Sequence, residues 1–404
     1  MRLFKSTNID FLGVKWICIS ISIAAMVVST IALVAKGPNF GIDFTGGANI
    51  IYAFSTKPDE NAIRKIVEGA SVPVTSVQRF DKPEKNQILL RVAQEKKEGR
   101  DVTKEVSAAL TKAMFPGTTE AAFDLNLNGV DALLAKLVAE DPEKVAQRPS
   151  LDPKVEYGRT AQAIIDLRSS QGLFKSVDEA SKAPGVSPAV AGWLKEKTVT
   201  GPFTLLSAEN VGPQVGKDLR EKGSWAVILS WGAMLIYIAF RFHSASWGVA
   251  SVVALIHDTW ITLGICSLLG TEISLTVVAA FLTLVGYSMN DTVVVFDRIR
   301  ENLTKSRKGP LGEIVNRSIN QTLSRTTLTS GLTFLVVVAL FIFGGEVLRG
   351  FSFVMLVGII IGTYSSIFIA SPLIIVWEEW RAKKGNGAPA PVAASGAKGK
   401  LAAK

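Results

Sequence analysis

Six apolar runs, each near the length that a helix needs to cross a bilayer, constrain this chain more than any other feature. The hydrocarbon core takes about 20 residues of helix. The runs fall at 14–35, Trp225–Phe240, Trp247–Leu269, Ile273–Phe296, Leu328–Phe343 and Phe351–Trp377. The second and fifth are short, and their flanks extend them. In lipid every backbone N–H and C=O must be satisfied inside the protein, so runs of this kind fold as helices of a bundle. Composition agrees: 48% of the residues are hydrophobic and 20% charged, an unusual balance for a soluble chain of 404 residues. The first run lacks an Ala-x-Ala exit, which disfavours a cleavable signal peptide.

Basic residues in the short connections orient the bundle. Arg2, Lys5 and Lys15 flank the first run on one side. Arg298, Arg300, Lys305, Arg307, Lys308, Arg317 and Arg325 lie between the fourth and fifth, and Arg381, Lys383 and Lys384 follow the sixth. The opposite loops, around Gly270–Glu272 and Gly344–Gly350, hold only Arg349. The positive-inside rule then puts both termini in the cytoplasm and the large segment between the first two runs outside it. The net charge of +9 reads as topology and contact with anionic lipid, and no nucleic-acid partner is expected. Two cysteines, Cys18 and Cys266, both lie within spans, and the two histidines are His243 and His257. Neither a disulfide framework nor a metal centre fits so few ligands, and no cofactor is expected.

The resulting plan is a cytoplasmic N-terminus at 1–13, a span at 14–35, an extracytoplasmic α+β domain at 36–222, spans at 223–297, and a basic cytoplasmic loop with an interfacial helix at 298–327. Spans at 328–378 and a disordered Ala/Gly/Pro/Lys tail at 379–404 complete it. In the external domain, strands are expected at Asn49–Ala53, Val74–Arg79, Gln87–Val92 and Phe203–Glu209, with helices at Asp59–Glu68 and Val102–Ala113. That order is the split βαβ pattern, one sheet face covered by two helices. Residues 116–200 read as a helical insertion in the last crossover, with short helices at Val130–Val138, Gly158–Arg168 and Val186–Leu194.

Asp291 and Asn290 interrupt the fourth run at hydrocarbon depth. A carboxylate there is costly and normally faces a bundle interior or a wet path. Desolvation favours the neutral form of a carboxylate, so such a group can load a proton from one side and release it to the other. Packing glue is the alternative. Arg325, at the entry to the fifth run, supplies a charge whose pairing with Asp291 would couple protonation to helix movement. Asp258 is a second intramembrane acid, read either as a proton-path member or as a partner for Ser288 or Asn290. Adjacent helix positions diverge, so the two cannot both line one narrow path, and His257 is read as a satisfied bundle or interface histidine. Gly358 and Gly362 form a weak G-x-x-x-G interface signal. NFGIDFTGG, with Gly41, Asp43, Gly46 and Gly47, and VGPQVG, with Gly212, Pro213 and Gly216, flank the external domain at mirror positions. The first suggests a tight turn, the second a stiff connector, and together a joint that transmits motion. No hydrolase pattern or phosphate loop occurs, so an enzyme is not expected and the membrane potential and proton gradient are the power source.

These motifs carry a resemblance. NFGIDFTGG, VGPQVG, His257–Asp258, GYSMNDTVVVFDRIREN at Gly286–Asn302 and SRTTLTS at Ser324–Ser330 make the chain similar to the SecF side of the SecD/SecF protein-export family, in the resistance-nodulation-division superfamily. The likeness covers roughly 1–115 and 203–382. It implies a six-span half-bundle that pairs with SecD and a ferredoxin-like external domain. It implies use of the proton-motive force to pull preproteins outward after the SecYEG channel has started them, with YajC as a further partner. By resemblance Asp291 is the proton-path aspartate and Arg325 its paired arginine. The 116–200 insertion departs from the family pattern. A small-molecule efflux subunit and a purely structural assembly subunit are the rival readings.

Overall fold

The computed structural model describes residues 7–80, 83–93, 101–115, 123–148, 151–305 and 310–383. It divides into two compact units, one of Met1–Gly41 with Asp218–Lys404 and the other of Ile42–Lys217. The chain opens the first unit with helix α1 (Lys15–Ala35). Ahead of it, residues 7–12 run along a later helix and are held there by two asparagines. Ile9 N donates to Asn320 Oδ1 at 2.9 Å, and the Asn320 and Asn316 amides return bonds to Ile9 O at 2.8 and 3.0 Å. Phe11 N donates to Asn316 Oδ1 at 2.9 Å.

The second unit starts with a short helix, α2 (Ile42–Thr45), and strand β1 (Gly47–Phe54). There follow α3 (Glu60–Gly69), β2 (Val74–Phe80), β3 (Gln87–Val92) and α4 (Val102–Met114). Side-chain caps start both long helices: Asp59 accepts from Asn61 N and Ala62 N, and Asp101 from Lys104 N. After β4 (Phe123–Asp124), α5 (Val130–Glu140), α6 (Pro153–Gln171), α7 (Val177–Ala180), α8 (Pro188–Lys197) and β5 (Thr198–Val199), the last strand β6 (Phe203–Val211) returns to the sheet. Pro153 and Pro188 each take the first helical position behind an Asp or Ser cap, where their missing N–H costs nothing.

The main sheet has the order β2-β3-β1-β6 with every neighbouring pair antiparallel. Two β-α-β units interleaved in this order make the ferredoxin-like arrangement that the alternating pattern predicts. Period-two alternation puts Ile50, Tyr52 and Phe54 of β1 and Ile88, Leu90 and Val92 of β3 on one face, against Ile63 and Val67 of α3 and Val106 and Leu110 of α4. The insertion between α4 and β6 has a core of its own, from Leu133 and Leu137 through Tyr157, Ile164 and Phe174 to Val190 and Leu194. The parallel pair β4–β5 closes its base.

Returning to the first unit, the chain continues as α9 (Pro213–Phe242), α10 (Ala245–Leu269), α11 (Leu275–Lys305), α12 (Leu311–Phe343), α13 (Gly345–Ser365) and α14 (Ser371–Lys383). Six helices are long and apolar enough to cross a membrane, the sixth combining α13 and α14. About half of the apolar window is buried in α10, α11 and the sixth span, against 6% in α9, so those three form the centre. A π turn, Ser366–Ala370, separates α13 from α14. Pro372 lies just beyond it, and its missing N–H and ring displace the regular i→i−4 ladder.

Three expectations change. No separate interfacial helix occupies 298–327: α11 runs on to Lys305, and α12 starts at Leu311 and is one 33-residue helix. Ile314 and Ile319 pack into the bundle core instead of facing lipid headgroups. Helix α14 continues to Lys383, into the stretch expected to be tail; residues 384–404 lie outside the described residues, as do 1–6, Arg307 and Lys308. Val211–Gly216 is not a free-standing connector, because Val211 ends β6 and Pro213 starts α9 with Gly212 alone between them.

Candidate proton site in the bundle

Asp291 lies on α11 and is 2% exposed. Its Oδ2 accepts a hydrogen bond from Ser330 Oγ of α12 at 2.8 Å, and Ser330 Oγ in turn accepts from Thr363 Oγ1 of α13 at 3.0 Å. The acid therefore sits where three helices meet, with hydroxyls for neighbours. One turn earlier on α11, Ser288 Oγ donates to Asp258 Oδ2 of α10 at 2.6 Å. Ser365 Oγ of α13 donates to the same oxygen at 2.8 Å. The other carboxylate oxygen, Oδ1, is 2.9 Å from His257 Nδ1. Thr292 Oγ1 bonds back to Ser288 O at 3.2 Å. Two acids on adjacent helices are thus served by one cluster of serine and threonine hydroxyls from α11, α12 and α13.

Glycines make that closeness possible. A Cβ on Gly358 would lie 2.4 Å from Leu284 Cδ1, and one on Gly362 3.0 Å from Ser288 Cβ. The G-x-x-x-G pair of α13 therefore seats that helix against α11 beside Ser288. Gly264 of α10 does the same for α1, where an added Cβ would meet Ser29 Cβ at 2.2 Å.

The remaining expected site residues separate into groups. Asn290, next to Asp291 in sequence, is exposed on α11. Arg325 is also exposed on α12, and among the described residues no ion pair joins it to Asp291. Asp258 takes Ser288 as its partner and not Asn290. His257, expected to be a satisfied bundle or interface histidine, bonds its own neighbour Asp258 through Nδ1. Both residues are buried, and the imidazole Nε2 is buried with no hydrogen-bond partner among the described residues. The divergence of adjacent helix positions is overcome by the reach of the two side chains.

The glycine motifs are built into the folds themselves. Gly41 N donates to Ile273 O at 2.8 Å in the membrane unit, where Asn39 Nδ2 also bonds Gly270 O at 2.9 Å. In the other unit, Asp43 lies in the first turn of α2, and Gly46 adopts φ +72° with its would-be Cβ 2.8 Å from Pro213 Cα. A Cβ on Gly47 would lie 2.5 Å from Val92 O, and one on Gly216 2.9 Å from Gly46 N. NFGIDFTGG and VGPQVG thus pack on each other through Gly46, Pro213 and Gly216. Sequence reading missed Ser330, Thr363 and Ser365, although each is a small hydroxyl residue in an apolar run, the type that bridges helices in lipid. No group of three or more His, Cys, Asp or Glu placed to hold a metal ion occurs among the described residues.

Comparison with known proteins places this geometry in a family. Residues 194–380 match the model described as protein export membrane protein SecD/SecF, C-terminal, and residues 31–57 match the SecD/SecF GG motif. The chain is 43% identical to the protein translocase subunit SecF of Koribacter versatilis, over 97% of this chain and 98% of that protein. It is 35% identical to the SecF of Desulfurispirillum indicum over 91% of each. Among solved structures it resembles SecDF of Thermus thermophilus, with TM-score 0.64 and 30% identity, covering 94% of this chain and 40% of that one. A second SecDF structure, in a super-membrane-facing form, gives 0.56 and 29% over 96% of this chain and 41% of its own. The chain thus spans about two-fifths of the solved SecDF chains.

Proposed function

Because the chain belongs to the SecD/SecF family and is a SecF-type translocase subunit with six membrane-spanning helices and an extracytoplasmic α+β domain, we propose that it draws on the proton-motive force to drive late steps of preprotein translocation and release. It works without hydrolytic chemistry and pairs with SecD, beside the SecYEG channel and YajC. Both termini are cytoplasmic, in keeping with the basic residues between the fourth and fifth spans.

One observation carries the reading: Asp291 is a buried carboxylate at a three-helix junction, hydrogen-bonded through Ser330 to Thr363. Protonation removes the charge that these hydroxyls serve, so the packing of α11, α12 and α13 depends on whether the proton is present. Arg325, on α12 like Ser330, and Asn290, beside the acid, flank this junction on the outer surface. Asp258 joins it through Ser288. Gly46, Gly47, Gly212, Pro213 and Gly216, with Gly41 and Asp43, form the joint through which helix movement is passed on. The test is gradient-dependent export of a preprotein in vesicles holding SecD, SecYEG and this chain, native or Asp291→Asn, at equal assembly levels. Loss of the gradient-dependent part with intact ATP-driven initiation is expected. Unchanged stimulation would reduce Asp291 to a packing residue.

A further inference from the structure

The polar cluster holds one buried group that the reading above leaves unused. His257 is 3% exposed, its Nδ1 meets Asp258 Oδ1, and its Nε2 meets nothing among the described residues. Asp258 is 1% exposed and already accepts Ser288 Oγ and Ser365 Oγ on Oδ2. An ionised carboxylate only accepts, so Asp258 is fully served when Nδ1 carries a hydrogen and donates to Oδ1. That tautomer leaves Nε2 as a bare acceptor in the interior.

Charge then decides what Nε2 is for. With His257 neutral, the dyad carries one uncompensated negative charge in an apolar bundle, which is costly. A proton on Nε2 makes an imidazolium–carboxylate pair with no net charge and hydrogen bonds already in place. The groups that bear on this balance from the elements packed around α10 are few. Asp291 lies on α11, and Tyr364 of α13 stacks its ring on the imidazole at 6.5 Å between centroids. Tyr364 Oη donates to Cys18 O of α1 at 2.7 Å. Lys15 opens α1, Asp297 and Arg298 lie in later turns of α11, Arg325 of α12 is exposed, and Glu378, Glu379 and Arg381 occupy the last turns of α14. None of these is hydrogen-bonded or ion-paired to the dyad among the described residues.

We propose that His257 and Asp258 form a second proton-binding site, in which the proton is held on His257 Nε2 against the Asp258 carboxylate. Loading forms an N–H bond at Nε2 with a proton given by hydronium, which leaves as water. Release breaks that bond and returns the proton to a water molecule. Ser288 and Ser365 tie the site to α11 and α13, the helices that also contribute Asp291 and Thr363, so the two sites share the same moving parts. The proposal rests on the proton-driven reading for its role in transport.

The chain has two histidines, which makes a direct test simple. The full chain, labelled with 15N-histidine and carrying His243→Gln, is placed in lipid nanodiscs and followed by nitrogen NMR from about pH 9 to about pH 5, the range in which histidine changes charge. The expected result is a protonated Nδ1 throughout and an Nε2 signal that moves from the bare to the protonated position. In Asp258→Ala the hydrogen should no longer be fixed at Nδ1, and the two imidazole tautomers should mix, because the carboxylate that accepts from Nδ1 is gone. An Nε2 signal that never moves in the otherwise native chain overturns the proposal, as does an Nδ1 hydrogen that stays fixed in Asp258→Ala. Neither outcome depends on export, so failure here is distinct from failure of the Asp291→Asn test, which leaves this titration untouched.

Discussion

At the scale of single residues, the structure turns an intramembrane acid into a set of specific contacts. Ser330 is the hydroxyl that donates to Asp291, so Ser330→Ala deletes a bond that the proposed proton cycle makes charge-assisted. Such a bond is worth about 1.5–3 kcal/mol, and gradient-driven export should fall about tenfold while ATP-driven initiation is kept. Thr363→Val tests the same chain one step further out, with a smaller loss expected in the same vesicle assay. Gly46 is a different kind of constraint. A side chain there meets both a left-handed backbone, at φ +72°, and Pro213 at 2.8 Å. The backbone alone costs about 1–2 kcal/mol, so Gly46→Ala should lower the thermal unfolding midpoint of the external domain in the full chain. Gly185, in the same unit, with φ +84° and nothing within 4 Å of its would-be Cβ among the described residues, is the control that separates strain from contact.

At the scale of elements, the strands and helices of the external domain were legible because alternation and capping agree with the fold. Asp59, Asp101, Asp152 and Ser187 each cap the helix that the apolar spacing predicts. The full length of α12 was not legible: Ile314, Ile319 and Leu323 read as the apolar side of a separate helix near the membrane surface, whereas they pack against the bundle as part of α12. Hydropathy windows measure transfer to lipid and say nothing about a polar helix continuing beyond it. The bridge from Ser288 to Asp258 was one of the two partners expected, whereas those from Ser365 to Asp258 and from Ser330 to Asp291 were illegible, because spacing does not fix which faces of remote helices meet.

The insertion offers an element-scale prediction. Asn126 holds its base together: Nδ2 donates to Phe174 O and Gly201 O, both at 2.8 Å, and Oδ1 accepts from Phe174 N at 2.9 Å. Asn126→Ala strands these buried groups at about 1–3 kcal/mol apiece. Hydrogen exchange should speed up across α5, α6 and α8 and stay slow in β1 and β3, because the two cores are separate. Next to it, burial raises the Asp124 carboxyl above its ordinary range, although N–H groups of Gly201 and Asn126 and the charge of Arg168 oppose the shift. A raised native value means that the folded insertion holds the proton more tightly than the unfolded chain does. The contribution of Asp124 to stability is therefore full below the ordinary carboxyl value and is lost as pH rises through the raised one. Asp124→Asn keeps the oxygen that accepts from Asn126 N and Gly201 N, and should flatten the pH dependence of insertion unfolding measured by hydrogen exchange.

At the scale of the whole molecule, the chain combines a helical bundle with a central trio of spans and an α+β domain with an inserted second core. The asparagine clasp on residues 7–12 sets a schedule for making it. Ile9 and its partner Asn320 are 311 residues apart, so at about 5–20 residues per second the ribosome takes roughly 15–60 s to deliver the second after the first. Throughout that interval the arm ahead of α1 has no asparagines to hold it. Ribosome-stalled chains cut short before residue 316 should lose this arm to added protease, and chains long enough to expose α12 should keep it. The fastening of its first residues thus marks when the bundle has been completely synthesised as far as its fifth span.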